Sequence, residues 1–153
     1  MSSAAAETLP LIIQRGTIRV GYHTVDLESA IRGLLVAPLL EHGVSPNRID
    51  AIVDSVLDRE KQGTTCAGPI ALPHGRISGI PKIVAGLGVN RDGIYPGGTA
   101  RLMLAFVSPQ DAAAEHLRFL SSAAKTFRNT ALLDQLLAAA TPDDVIAALT
   151  SAG

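Results

Sequence analysis

Four histidines stand at positions 23, 42, 74 and 116, and imidazole is the side chain whose ordinary pKa lets it serve as acid, base or nucleophile near neutrality. No two of them fall at the i, i+4 spacing that puts a pair of metal ligands on one helix face, so a metal centre has little support. His23 and His42 fall at expected element ends, where a solvated or capping role is ordinary. His74 is set differently. Pro73 and Gly75 hold it in a loop that caps the apolar run Ile70-Ala71-Leu72, an exposed position steadied by a rigid scaffold. Taken alone, that is still a common setting for a loop histidine. Arg59, Arg76 and Lys82 lie close to it in sequence, and a phosphorylated side chain, with about -1.5 to -2 charge, needs such donors.

His116 belongs to an expected helix and falls about 60° from the centre of that helix's apolar stripe, counting ~100° per residue. It is a boundary residue: either a half-buried histidine at the edge of the core, or an imidazole that donates a hydrogen bond across a groove. Cys66 and His74 together suggest a thiolate beside a base. No third orienting group stands out, and a small buried cysteine at a strand start is the plainer explanation. Gly63 to Gly68 lacks the Gly-Lys-Ser/Thr ending of a phosphate-binding loop.

The elements that must position these residues follow from periodicity. Thr17 to Tyr22 alternates as a short strand. Asp26 or Thr24 then caps a helix with the stripe Ile31, Leu34, Leu35, Leu39 and Leu40, kinked in its last turn by Pro38 and ended by Gly43. Ser45-Pro46 opens a second helix that runs to about Lys61, with Ile49, Ile52, Val53, Val56 and Leu57 on one face. Ile70 to Leu72, Lys82 to Val89 and Arg101 to Val107 read as strands in a covered sheet, with an exposed Gly-rich loop from Asn90 to Thr99. Ser108-Pro109-Gln110-Asp111 reads as the cap and first turn of a third helix, with core stripe Ala113, Leu117, Leu120, Ala124 and Phe127. Ala131 to Ala139 and Asp143 to Leu149 complete the helices. Helices alternating with short strands define an α/β fold, a small mixed β-sheet sandwiched by helices.

Composition bounds the rest. The chain has 153 residues, 47% of them hydrophobic, which suits one domain over residues 9–153 behind a disordered leader at 1–8. Aromatic residues are only 3% and tryptophan is absent, so stacking platforms for single-stranded nucleic acid are disfavoured. Thirteen Lys and Arg against fourteen Asp and Glu leave no basic stripe for a nucleic-acid backbone. Apolar stretches break before the roughly 18 residues of a membrane span, so direct membrane insertion is not expected. One cysteine and no signal-like start favour a cytoplasmic setting.

One block ties the chemistry to a family. Asp58-Arg59-Glu60-Lys61-Gln62-Gly63-Thr64-Thr65, then Gly68, then Ile70-Ala71-Leu72-Pro73-His74-Gly75-Arg76 resembles the signature of the type-2 enzyme IIA family of the bacterial phosphotransferase system, the mannitol/fructose and nitrogen-regulatory type. Pro109, Ala112, His116 and Leu117 match that family's second histidine stretch. The resemblance implies the enzyme IIA fold of the mannitol/fructose type. It also implies a phosphoryl group accepted on His74 from the HPr-like phosphocarrier or its nitrogen-branch counterpart, then passed to an enzyme IIB domain or used to control regulatory targets. His74, His116 and Arg59 would carry the transfer, Gly75 and Arg76 would help hold the phosphoryl oxygens, and no metal or organic cofactor is called for. Cys66-Ala67, Pro69 and the distorted Asp92 to Gly98 step depart from the family pattern. They leave room for a second reading, a IIA-like regulatory binding module that needs no phosphate and could be part of a transporter.

Overall fold

The computed structural model describes residues 8–63 and 67–152. In chain order it forms α1 (Leu9–Arg15), β1 (Thr17–Val20), α2 (Leu27–Glu41), a short 3-10 turn at Pro46–Arg48, α3 (Ile49–Gln62), β2 (Ile70–Ala71), β3 (His74–Ile77), β4 (Val84–Val89), β5 (Leu102–Pro109), α4 (Ala113–Phe127), α5 (Thr130–Leu137) and α6 (Pro142–Ala152). The leader expected over 1–8 lies, except for Thr8, outside the described residues, as does Cys66.

The five strands make one mixed sheet. β4 runs antiparallel to β5, β1 lies parallel on the far side of β4, and β2 and β3 both pair in parallel with the other side of β5. β5 shows why the sheet must be covered twice. Leu102, Leu104 and Phe106 enter the core shared with α1, α4, α5 and α6, while Met103, Ala105 and Val107 enter the core shared with α2 and α3. A strand buried on both faces has no polar alternation, so it reads in sequence as a continuous apolar run. The α2 backbone closes directly onto β4: a Cβ on Gly86 would overlap the Leu34 carbonyl, so glycine is required for that approach. No helix among the described residues is long and apolar enough to cross a membrane.

Local chemistry sets most boundaries where expected. Asp26, rather than Thr24, caps α2 by accepting from the Ser29 N–H at 2.8 Å. Gly43 ends that helix in the left-handed region at φ 86°. There the Val44 and Gly43 N–H groups donate to the Leu39 and Leu40 carbonyls, a Schellman ending.

Other expectations are corrected. Pro73-His74-Gly75 is not a capping loop, because His74 opens β3 opposite Phe106. β2 and β3 keep one register along β5, and the interruption between them falls at Leu72-Pro73. Proline has no N–H for the ladder, yet its carbonyl accepts from the Phe106 N–H at 3.0 Å, which carries the pairing through the gap. Ser108-Pro109 is not a helix start: β5 continues through both, paired with Arg76 and Ile77, and α4 begins at Ala113. The α4 core face is His116, Phe119, Ala123 and Phe127, with Ala113, Leu117 and Ala124 turned outward. Phe119 sets that rotation by packing edge-on against Phe106, centroids 4.7 Å apart. Leu40 is likewise exposed rather than part of the α2 stripe. The Asn90 to Thr99 loop is pinned rather than wholly exposed, since Ile94 is fully buried and its carbonyl accepts from the Thr24 N–H at 2.7 Å. The sequence also gave no warning of α1, whose Ile12 and Ile13 are buried in the α4-side core.

Candidate functional site

The described polar side chains that are buried are His74, Ser108 and His116, and all three meet at the C-terminal end of β5. His74 is only 5% exposed, against the expectation of a solvent-facing loop residue. Its ring lies on the face of Phe106, with centroids 5.2 Å apart and planes 16° from parallel. His74 Nδ1 lies 2.7 Å from the Leu72 carbonyl oxygen. A carbonyl can only accept, so Nδ1 carries the proton and donates it. In the neutral ring this leaves the lone pair on Nε2.

His116 comes from the first turns of α4, and its ring centroid is 5.2 Å from that of His74, tilted by 55°. It also sits 5.5 Å from Phe106, so one phenylalanine supports both imidazoles. Burial first, then the neighbouring His74, Arg76 and Arg59, push the His116 pKa down from 6.5 to about 4. His116 is accordingly a neutral imidazole at physiological pH. Of the two roles open for it in the sequence, the structure places the ring within the buried cluster, 6% exposed.

Arg59 lies on the last turn of α3 and Arg76 on β3; both are exposed, and both reach His116 electrostatically. Among the described residues no carboxylate pairs with either guanidinium. Arg76 Nη2 donates to the Gln110 carbonyl, which ties β3 to the turn before α4. Gly75 lies in the β3 ladder opposite Val107 rather than in a turn, and a Cβ there would come 3.3 Å from Val56 Cγ2 on α3. Lys82 is exposed ahead of β4 and is not among the cations acting on His116. His23 is exposed beyond β1, and His42 Nδ1 bonds the Pro38 carbonyl at 2.8 Å, closing the end of α2.

The arrangement presents an unprotonated imidazole nitrogen beside a second, neutral imidazole and two cations that no carboxylate among the described residues opposes. That combination suits the acceptance of a compact anion by nitrogen attack. Sequence reasoning missed three parts of it: the Leu72 carbonyl, the Phe106 platform and Ser108. Ser108-Pro109 carries the signature of a helix start, and no spacing rule links a strand residue to one eight positions later on the next helix.

The mixed α/β sandwich thus brings a histidine pair together with two nearby arginines, one from α3 and one from β3. Residues 11–152 match the family described as phosphoenolpyruvate-dependent sugar phosphotransferase system, EIIA 2, and the chain belongs to that family. It is 32% identical over 94 residues to a nitrogen regulatory protein of Bradyrhizobium diazoefficiens, a match covering 58% of this chain and 61% of that protein. In structure it is similar to the nitrogen regulatory protein IIA-Ntr of Neisseria meningitidis, with TM-score 0.76, 23% identity, and 92% and 98% of the two chains covered. It is also similar to IIA mannitol of Escherichia coli, with TM-score 0.66, 25% identity, and 87% and 95% covered. The same fold occurs in a complex of Escherichia coli enzyme IIAMTL with phosphorylated enzyme IIBMTL, at TM-score 0.66 and 20% identity, covering 88% and 94%.

Proposed function

We propose that this chain is a phosphohistidine carrier in which His74 Nε2 accepts a phosphoryl group from the phosphohistidine of an HPr-like donor or its nitrogen-branch counterpart. The observation that carries the reading is the 2.7 Å bond from His74 Nδ1 to the Leu72 carbonyl, which leaves Nε2 bare. In the transfer, a P–N bond forms to Nε2 as the P–N bond to the donor imidazole breaks. The donor ring keeps the electron pair, and the Nδ1 proton of His74 stays on Nδ1. The protein's part is positioning and charge stabilisation: Phe106 fixes the ring plane, Arg59 and Arg76 supply positive charge, and His116 stands beside the incoming group. Onward transfer to an enzyme IIB domain is supported by the IIAMTL–IIBMTL complex of a protein with this fold. A cytoplasmic setting belongs to the same reading.

The kinship with a nitrogen regulatory protein favours a second role for the same phosphohistidine, as a signal that changes which targets the domain binds. Incubation of the purified chain with phosphoenolpyruvate, enzyme I and HPr, or their nitrogen-branch equivalents, tests the carrier directly by intact mass. One acid-labile phosphoryl group is expected on the wild type and none on His74→Ala. No gain with matched donors and a working control protein would overturn the carrier in favour of a binding module.

A further inference from the structure

Ser108 has a buried hydroxyl that the transfer described above leaves without a task. The two-residue period of β5 explains how it reaches the site: Leu102, Leu104 and Phe106 fill the α4-side core, and Ser108 is the next residue on that face. It is fully buried, and its Oγ lies 2.7 Å from His116 Nδ1. Among the described residues this hydroxyl meets no other hydrogen-bond partner.

A hydroxyl has one proton to place, and a buried donor without an acceptor is costly. If His116 Nδ1 carried the ring proton, Oγ would accept it and the serine proton would have no acceptor. The arrangement that satisfies both groups has Ser108 donating to a bare Nδ1, with the imidazole proton on Nε2. We infer that Ser108 is a positioning residue whose hydroxyl fixes neutral His116 as the Nε2–H tautomer, so that His116 offers an N–H, and not a lone pair, to the phosphoryl group on His74. The two imidazoles are thus held in opposite tautomers by neighbouring groups. The Leu72 carbonyl makes His74 present a lone pair, and the Ser108 hydroxyl makes His116 present a donor. The catalytic half of this inference rests on the phosphocarrier reading; the tautomer does not.

Long-range proton–nitrogen correlation NMR on the free protein labelled with ¹⁵N-histidine reads the tautomer without any phosphate, with His116→Gln assigning the ring. The wild type is expected to show Nε2 protonated and Nδ1 bare. Ser108→Ala should lose that fixed state and show a mixture, and Ser108→Thr, which keeps the hydroxyl, should retain it. Protonated Nδ1 in the wild type, or an unchanged ring in Ser108→Ala, would overturn the tautomer assignment. In the transfer assay, Ser108→Ala should slow phosphoryl arrival by about tenfold, the scale of losing one oriented hydrogen bond, and Ser108→Thr should restore it. A wild-type rate in a Ser108→Ala protein whose tautomer is lost would overturn the positioning role. A wild type that takes no phosphate would sink the carrier reading while the NMR result still decides the tautomer.

Discussion

His74 and Phe106 are direct partners across the parallel ladder of β3 and β5, and their rings stack on the α4 side of the sheet, centroids 5.2 Å apart. Register alone puts them on one face, because partners in a ladder project the same way. The His74 ring is therefore oriented by backbone pairing and by a fully buried aromatic side chain rather than by a loop. Phe106 also touches His116 and Phe119, so one side chain joins the site to the core.

Phe106→Leu should separate these two roles. Losing the stack and part of the buried volume is expected to cost about 1–3 kcal/mol in urea denaturation. Phosphoryl transfer should slow even where the variant is fully folded. Unchanged transfer at saturating folded protein would show that the ring does not orient His74.

Arg59 makes the opposite prediction, because it is exposed and contributes little packing. Arg59→Ala should change stability by less than about 0.5 kcal/mol while lowering the transfer rate by on the order of 100-fold, as when an oriented charge donor is removed. Arg59→Lys should fall between, since an ammonium cannot offer the planar two-pronged donor. An Arg59→Ala protein as fast as wild type would remove this residue from the site.

The sequence made the α/β class and the mixed sheet legible, because the strands and helices have distinct periods, and it pointed to His74, His116 and Arg59, which the fold brings near one another. It did not show that β2 and β3 share one register on β5, since a proline between them looks like a terminator until its carbonyl is seen bonding Phe106. It turned α4 the wrong way because Ala113, Leu117 and Ala124 form as good an apolar stripe as the real one. Tertiary packing selects the other face, where Phe119 meets Phe106 and Ala123 and Phe127 join the same core. A buried histidine on that face reads as polar and argues against it. Ser108 was hidden by a cap signature that pairing with Arg76 overrides.

The low His116 pKa also predicts how stability depends on acid. The folded value of about 4 lies below the ordinary 6.5, so as pH falls the unfolded chain takes up this proton first. The stability due to neutral His116 is complete above about pH 6.5, falls as pH drops from there toward 4, and is not lost further below that. A single proton gives a slope of at most ~1.4 kcal/mol per pH unit in that window. His116→Gln, which cannot titrate, should flatten the slope of urea-derived stability against pH between 4 and 6.5. An identical slope in wild type and variant would contradict a depressed His116 pKa.

If the Leu72 carbonyl holds the Nδ1 proton of His74, phosphate is directed to the other ring nitrogen. Phosphorus and ¹⁵N NMR of the phosphorylated protein distinguishes the two phosphohistidine isomers. A single phosphohistidine is expected at His74, with phosphorus bonded to Nε2 and Nδ1 still protonated. Phosphate on Nδ1, or on any residue other than His74, would contradict that expectation.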